Sequence, residues 1–572
     1  MKKIYYLAMG AMMFCAAGCD DFLDTENLTE KNTANFPQTL ADAEQVLAGI
    51  YNNLGDAVGV DQQVQHSFLM LSELASDDRF GGGGTGDQIL QAKDMLMQTD
   101  MDDYQRFWVI RYKGINRANV AIETLGNCEG YTSDAQKDKM LGEAYFMRAF
   151  FYYELASMFE KVPLHLESLA QPLPQAEPDA IWGQIVSDLK TAIELMKPAG
   201  KTPVSQAGHA DAYVAEVMMA RAFLFYTGFY GKTDVTLPDG STVTKQNVID
   251  WIVDCKDNSG YSLVTSDYRN LWAYTNPYTV EEYDYTKGAS LNWVESGANN
   301  TEAMFAIKFN KQADWSNTSR SGFTNGMGVF CGMRGGADKD WAFPFGQGWG
   351  AGPVTPGLWN SFETGDLRRE ASICHVPTEL APQGYPIGGG DADWIQETDY
   401  FIKKTATIVG VSGGQKTDPF DKLLYDMDRQ WDVCIIHDLV LMRYAEVLLL
   451  HSELTEDAAG INALRDRAGL LPVGYSLAAL QQERRSELCF EGLRWNDIRR
   501  WGIAETALAT QEGAPIYVSA LPTTNNHKGA GYAARYTTTK GFVPIPATQI
   551  MLSEGLYKQN PGWDEASHFS NW

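Results

Sequence analysis

The chain is poor in positive charge. Its 572 residues include 46 Lys or Arg against 73 Asp or Glu, and the formal net charge is −27. A protein with this balance repels the phosphate backbone, so nucleic acid is not expected to be a partner. Anionic membrane surfaces repel it as well, and residence at a membrane would therefore require an anchor that does not depend on surface charge.

Cysteine and histidine are scarce, with eight residues of each. The six cysteines after position 19 are scattered without a Cys-x-x-Cys pair, and the histidines include neither an H-E-x-x-H motif nor a close pair. We therefore expect buried thiols rather than a zinc site, and one disulfide stays open as an alternative. Asp391 and Asp393 could offer oxygen ligands to calcium, but they do not complete the calcium-loop pattern, so a turn is expected. No cofactor or metal is predicted.

Long apolar runs are missing except at the start of the chain. Lys2 and Lys3 precede an apolar run over residues 4–17, and small residues lead to Cys19. This pattern is typical of a secretory signal peptide at residues 1–18, and the cysteine that follows predicts lipid attachment at Cys19. The run is shorter than the ~20 residues of a membrane-spanning helix, whereas several acyl chains hold a protein stably at a membrane. A spanning anchor and an ordinary cleaved signal are the alternatives.

Two glycine motifs are typical of enzymes but lack the structural context that enzymes require. Residues 81–86 satisfy G-x-G-x-x-G, yet a predicted helix at 67–76 precedes them instead of a strand, so we expect a flexible surface loop. Residues 410–414 match the nucleophile-elbow pattern G-x-S-x-G, but Asp418 and Pro419 predict a turn where the elbow requires a helix. Neither a nucleotide site nor a serine hydrolase is therefore expected.

Four acidic residues could supply the carboxylate pair of a glycoside hydrolase, namely Asp77, Asp78, Glu363 and Asp366. A catalytic pair must stand about 5 Å or about 6.5–9.5 Å apart across a sugar, which sequence alone does not test. Since most acidic residues are solvated or cap helices, we expect no enzyme activity from them.

Periodic apolar residues predict helices at 136–160, 178–198, 211–227, 438–453, 460–468 and 477–501, and a hairpin at 234–244. Residues 143–153 and 216–226 line up at an offset of 73 residues, about two helix-hairpin units of ~34 residues each. Stacked helix pairs are therefore predicted. Between 275 and 431 the helical period disappears, and strands are expected at 303–309 and 400–409.

Eight of the fifteen tryptophans lie between positions 272 and 431. Several stand beside glycine or polar residues rather than in apolar runs, namely Trp315, Trp341, Trp349 and Trp394. Flat indole faces stack on the C–H faces of sugar rings while neighbouring carboxylates and amides bond hydroxyls, so this group predicts a neutral glycan groove. The alternative is that each ring pins a long loop to the scaffold.

Glutamates recur every four residues among the arginines near the C-terminus, at Glu483, Glu487 and Glu491. Buried arginine requires carboxylate partners, and this spacing places the glutamates on one helix face. We therefore predict a structural ion-pair network there rather than a catalytic group.

Sequence blocks along the whole chain share the order of a known family. DDFLD follows Cys19, WVIRYKGINRAN occupies 108–119, RAFFY occupies 148–152 and FEKVPL occupies 159–164. The C-terminal blocks are RYAEVLL at 443–449, INALRDRAGL at 461–470, ERRSELCFEGLRWNDIRRWG at 483–502, PIP at 544–546 and QNPGW at 559–563. Together they resemble the SusD/RagB family of nutrient-binding lipoproteins from the outer membrane of Bacteroidetes.

The resemblance implies a mainly α fold, in which a scaffold of tetratricopeptide-like helix pairs carries long irregular loops and small β elements. We expect an N-terminal helical region at 19–230, a hairpin-and-helix connection at 231–274, and a C-terminal region with Trp-rich loops and closing helices at 275–572. It also implies a SusC-like TonB-dependent barrel as the partner, which the protein would cap while lipid on Cys19 holds it at the surface of the outer membrane.

The same resemblance implies that the protein binds oligosaccharides without cleaving them. Binding of peptides or another nutrient is one alternative, and a surface glycoside hydrolase is the other. The family's ligand contacts lie in variable loops that no motif marks, and the stretch after residues 77–78 and the Trp-rich loops occupy comparable positions. We therefore predict ligand contacts at Arg79, Phe80, Trp315, Trp341, Trp349 and Trp394.

Overall fold

The computed structural model describes residues 36–59, 64–94, 101–168, 171–201, 208–295, 300–311, 324–334, 340–388, 394–526 and 531–563. The predicted signal peptide at residues 1–18, Cys19, Trp315 and residues 391–393 lie outside the described residues. No helix in the described segments combines the length and the apolar character that crossing a membrane requires.

Helices dominate the described segments. They are α1 (Leu40–Asp56), α2 (Phe68–Leu74), α3 (Gln88–Lys93), α4 (Gln105–Thr124), α5 (Asp134–Phe159), α6 (Pro178–Met196), α7 (Ala212–Tyr230), α8 (Lys245–Asn258), α9 (Gly326–Cys331), α10 (Pro356–Ser361), α11 (Arg368–Ser372), α12 (Val376–Glu379), α13 (Asp421–Tyr425), α14 (Tyr444–Thr455), α15 (Ala459–Arg467), α16 (Leu477–Leu488), α17 (Arg494–Arg500), α18 (Ala504–Ala509), α19 (Gly531–Thr539) and α20 (Ala547–Leu552).

Short strands pair two by two into small antiparallel sheets. The pairs are β1 (Val235–Thr236) with β2 (Thr242–Val243), β3 (Ala303–Ile307) with β8 (Leu439–Arg443), β4 (Ile373–His375) with β5 (Tyr400–Ile402), β6 (Gly410–Ser412) with β7 (Gln415–Thr417), and β9 (Pro515–Val518) with β10 (Leu521–Thr524). The fold is therefore mainly α with small β elements, as predicted.

The long helices stack in the order of the chain. Helix α1 packs on α4, α4 on α5, α5 on α6, α6 on α7 and α7 on α8. Helix α8 then packs directly on α14, and α14 packs on α15 and α16. Each unit thus buries its apolar face on the next, which is the packing of a tetratricopeptide-like scaffold. Residues 259–443 lie in the chain between α8 and α14, outside this stack of helices. We call them the inserted region.

The predicted repeat at an offset of 73 residues has a physical counterpart. Arg148 on α5 pairs with Asp188 on α6 through two contacts of 2.7 Å. Arg221, its equivalent on α7, pairs with Glu446 on α14, with 2.8 Å between Nε and Oε1. Both are two-point guanidinium–carboxylate contacts to a neighbouring helix, which fix direction as well as distance. The two repeat units are therefore held to neighbouring helices by the same kind of ion pair.

Three predicted elements differ from the structure. The periodicity at 438–453 predicts one helix, but β8 comes first because it pairs with β3 across the inserted region. The helix predicted at 477–501 divides into α16 and α17, since Phe490 and Gly492 have φ values of +67° and +73°. The strand predicted at 400–409 ends at Ile402. The helices at the other predicted positions and the hairpin at 234–244 are confirmed.

Buried ion pairs join the inserted region to the scaffold, as the glutamate spacing predicts. Glu487 on α16 is fully buried and accepts from Arg368 at 3.0 Å and from Arg443 and Arg467 at 2.5 Å. Arg443 also reaches Glu491 at 2.7 Å. Burial alone would raise the pKa of Glu487, but the three arginines together lower it below its ordinary value. We call these residues the Glu487 cluster.

Replacing Glu487 by Gln should destabilise the fold by about 3–5 kcal/mol, because three buried guanidinium groups lose a shared carboxylate. Urea unfolding at pH 7 measures the loss. Glu44→Gln, at an exposed position of α1, is the matched control and should change stability by less than about 0.5 kcal/mol. The lowered pKa makes the contribution of Glu487 complete above its ordinary value of 4.5 and lost as the pH falls. Equal midpoints for both variants would contradict this role.

Candidate functional site

Residues 80–84 form a buried glycine seam between two segments of the inserted region. Gly83 N donates to Gly350 O at 2.9 Å on one side, and Ile395 N donates to Gly83 O at 3.0 Å on the other. Gly82 has a φ of +67°, and a Cβ there would lie 2.6 Å from Gly350 O. The predicted flexible surface loop is therefore wrong, because the backbone of this run pairs on both sides. Helix α2 precedes it, which is not the context of a dinucleotide site.

Arg79, which directly precedes the glycine seam, and Phe80, which begins it, are both fully buried. The Arg79 guanidinium donates to Glu73 Oε2 at 2.9 Å and to Gly352 O at 2.8 Å. A ligand at the surface does not reach side chains enclosed in this way. The buried side chains of Arg79 and Phe80 therefore position the seam, and neither faces the surface.

The seam positions two of the predicted tryptophans on adjacent segments. Trp349 is 36% exposed, and its ring rests edge-to-face on Phe330 with 4.5 Å between centroids. Trp394 is 1% exposed, with the Arg334 guanidinium carbon 6.0 Å from its ring centroid. Trp349 is therefore partly open to solvent, whereas Trp394 lies in the floor beneath the surface.

Of the other two predicted tryptophans, only Trp341 lies among the described residues. Trp341 is half-buried and packs edge-to-face on Tyr385 at 4.8 Å, in the same hydrophobic cluster as Trp394. Trp315 lies outside the described residues. Trp341, Trp349 and Trp394 thus belong to one part of the inserted region, and Trp349 is the most open of the three.

The sequence did not indicate a second aromatic surface. The half-buried rings of Trp359, His375 and Tyr400 have centroids 4.9–5.4 Å apart and planes within 20–25° of each other. The Arg369 guanidinium carbon lies 4.6 Å from the Trp359 ring centroid. Burial lowers the pKa of His375, which favours its neutral form. The register of β4 on β5 pairs His375 with Tyr400, and this long-range pairing has no signal in the local sequence.

The four acidic residues that were candidates for the catalytic pair of a glycoside hydrolase form ion pairs with arginines. Asp77 pairs with Arg494 at 2.7 Å and 2.9 Å, and Asp78 pairs with Arg485 at 2.8 Å. The remaining two also form two-point contacts, Glu363 with Arg465 and Asp366 with Arg368. Each of these carboxylates therefore has a structural partner.

The nucleophile-elbow motif and the cysteines have structural explanations. Residues 410–417 form the β6–β7 hairpin, in which Gly413 and Gly414 have φ values of +59° and +78°, so the G-x-S-x-G run is a tight turn. The six cysteines are free and buried, as predicted. Across the described segments, no three His, Cys, Asp or Glu side chains converge as metal ligands.

Glu397 is an unusual group behind the candidate surface that sequence analysis missed. It is 1% exposed, it pairs with Tyr517 through the backbone, and neither carboxyl oxygen has a hydrogen-bond partner in the described structure. Burial raises the pKa of Glu397 to about 8, although the charge of Arg334 opposes the shift. Burial therefore favours the neutral, protonated form of Glu397, which lies beside the arginine that faces Trp394.

Because the pKa of Glu397 is raised in the folded state, we predict that the stability of the fold decreases as the pH rises. Between its ordinary value of 4.5 and about 8, the folded state binds a proton that the unfolded state releases. Stability should fall by about 1.4 kcal/mol per pH unit across that window through this group. Glu397→Gln should remove the dependence and raise the midpoint of thermal unfolding at pH 8.5. Parallel pH profiles of the two proteins would contradict the assignment.

The structure combines a scaffold of helical repeats with an inserted region that carries aromatic loops. Two family models match the chain, one described as the SusD family at residues 428–563 and one described as starch-binding associating with the outer membrane at residues 21–226. Together they cover more than half of the chain. The protein belongs to the SusD/RagB family.

Individual relatives span nearly all of the chain. It is 23% identical to SusD-like protein P2 of Formosa agariphila over 599 aligned positions, which cover 98% of this chain and 100% of that protein. A laminarin-binding SusD-like protein superposes with a TM-score of 0.68 at 22% identity, over 92% of this chain and 100% of that one. Surface glycan-binding protein A from Bacteroides thetaiotaomicron, in complex with laminarihexaose, gives 0.67 at 19% identity, over 91% and 100%. These likenesses agree with the fold described above.

Proposed function

We propose that the protein is a cell-surface lipoprotein that captures oligosaccharides and delivers them, uncleaved, to a SusC-like TonB-dependent transporter. The observation that carries the proposal is the exposed Trp349 ring, which the glycine seam and Phe330 hold at the surface. An indole face stacks on the C–H face of a sugar ring. Two solved proteins of the same fold are named for laminarin or were solved with laminarihexaose, which makes laminarin and its oligosaccharides the first ligands to test.

The fixed position of the ring favours capture with little rearrangement. Trp349 N donates to Val329 O at 2.9 Å, and Ala351 N donates to Phe330 O at 2.8 Å, so the backbone that carries the ring is tied to α9. A contact group that is already ordered loses little conformational entropy on binding. The surface therefore suits a reversible receptor.

The engaged carboxylates support binding without cleavage. A glycoside hydrolase needs two carboxyl groups facing a sugar, one as acid and one as base or nucleophile. Asp77, Asp78, Glu363 and Asp366 instead face arginines at 2.5–2.8 Å. A receptor that hands its ligand on also benefits from modest affinity, on the order of micromolar to millimolar, because release is then fast.

Replacing Trp349 by Ala should weaken glycan binding about tenfold or more, because the stacking face is lost. Isothermal titration of the mature protein against laminarin, starch, xylan and mannan identifies the ligand and measures the loss. Trp359→Ala, on the second aromatic surface, is the matched control and should bind as the parent protein does.

Two outcomes would contradict this assignment. Loss of binding in Trp359→Ala with full binding in Trp349→Ala would move the site to the second aromatic surface. Release of soluble sugars during the incubation would show that the protein is a hydrolase, and retention of peptides in place of glycans would favour the other nutrient class.

Replacing Cys19 by Ala should release the protein from the membrane, because the acyl chains have no thiol to attach to. The parent protein should fractionate with the outer membrane and be cut by protease added to intact cells. Mass spectrometry of its N-terminus should find acylated Cys19. An unmodified N-terminus, or protection from protease in intact cells, would contradict surface anchoring.

A further inference from the structure

Gln396 is a buried amide that contacts the glycine seam. Its side chain is 4% exposed and lies two residues after Trp394. Gln396 Oε1 accepts from Gly82 N at 3.1 Å, and Gln396 Nε2 donates to Asp94 Oδ2 at 3.0 Å. Asp94 comes directly after α3. One amide therefore joins three segments, which are the seam, the end of α3 and the segment that carries Trp394.

The backbone of Gln396 adopts a conformation that its residue type does not favour. Its φ is +53°, in the left-handed region where glycine and asparagine are the usual residues. Such a conformation persists when the surrounding contacts impose it. Ile395 N donates to Gly83 O and Glu397 N donates to Tyr517 O, both at 3.0 Å, so the backbone is paired on either side of the strained residue. An asparagine would suit this backbone better, but its amide is one methylene group shorter.

The hydrogen bonds of Gln396 continue into the C-terminal part of the chain. Gln396 Nε2 also donates to Asn525 Oδ1 at 3.4 Å. Asn525 Nδ2 in turn donates to Gln511 O at 3.1 Å and to Tyr532 Oη at 2.7 Å. Gln511 Nε2 donates to Ser76 O, two residues after α2, at 2.9 Å. These side chains are buried, and an amide displaced from its partners would be left buried and unpaired, so the network favours one arrangement.

Backbone hydrogen bonds join the seam to the segment that follows Trp349. Gly352 N donates to Gly81 O at 2.9 Å, and Gly83 N donates to the same segment, also at 2.9 Å. The glycine between these two seam residues is the one whose N–H Gln396 accepts. A displacement of that glycine would therefore disturb both bonds and, through them, the backbone next to Trp349.

We propose that Gln396 is a positioning residue for the Trp349 surface, by which we mean the partly exposed indole of Trp349 and the Phe330 ring that supports it. The buried amide holds the seam at the register that places the indole, and it does so without touching a ligand. This inference rests on the proposed capture of glycans at Trp349 and adds a residue on which that capture depends.

Gln396→Met tests the proposal, because methionine has a similar length and meets the same backbone requirement but lacks both polar ends. A buried N–H without a partner destabilises the pairing around it. Hydrogen–deuterium exchange of the mature protein at pH 7 should be about tenfold faster or more in residues 80–84 and 349–354, and unchanged in α5. Glycan affinity should fall about three- to tenfold. Gln246→Met, at an exposed position of α8, is the matched control and should change neither quantity.

Gln396→Glu provides a conservative rescue that depends on pH. The new carboxyl group would face Asp94, and two buried carboxyl groups in contact do not both ionise. In its protonated form the group donates and accepts as the amide does. Glycan affinity, expressed relative to the parent protein at the same pH, should therefore be close to parental at pH 5 and weaker at pH 8. Gln396→Met should be weak at both.

Three results would overturn the positioning role. They are unchanged exchange at 80–84 and 349–354 in Gln396→Met, exchange that is equally accelerated in α5, and locally faster exchange with parental glycan affinity. If the parent protein binds none of the four polysaccharides, the proposed function fails instead. The exchange at 349–354 then still decides whether Gln396 fixes the segment that carries Trp349.

Discussion

One buried carboxylate, that of Glu487, connects the inserted region to the helical scaffold. Arg368 belongs to the inserted region, Arg443 ends β8, and Arg467 ends α15, yet all three guanidinium groups reach the same side chain. Burying ions is costly, so such a cluster contributes little net stability compared with an apolar junction. Its effect is geometric, because one carboxylate accepts from arginines of both the inserted region and the scaffold and so fixes where the two meet.

The glycine seam extends this constraint to the candidate site. Its contacts with the segments that carry Trp349 and Trp394 are mainly hydrogen bonds between backbone groups, joined by one from Gly82 N to Gln396 Oε1 at 3.1 Å. A site held mainly by backbone pairing depends little on the identity of the side chains that point outward. The loops can therefore change their aromatic residues while the scaffold and the seam keep their geometry, which is consistent with function placed on loops of a fixed fold.

Local patterns predicted the scaffold because helix periodicity and capping are properties of neighbouring residues. Helices α5 and α6 lie where their apolar spacing places them, and the four-residue glutamate spacing predicted the ion pairs. The strand β8 was missed because an apolar run leads without a breaker into α14, and only pairing with β3 makes it a strand. Burial of Arg79 and Glu397 and the stacking of Trp359 on Tyr400 depend on contacts between distant segments, which periodicity does not encode.

If the Trp349 surface binds glycan as proposed, the exposed geometry of Trp349 limits how tightly it would do so. Phe330 supports one side of the indole, and the open part of the ring offers a single stacking position. One aromatic contact with accompanying hydrogen bonds gives weak binding, since association must first offset lost translational and rotational freedom. A long glycan raises its residence by presenting many equivalent sugars to the same ring. Weak contact with each sugar and repeated presentation along a chain would together favour polymers over free sugars at this surface.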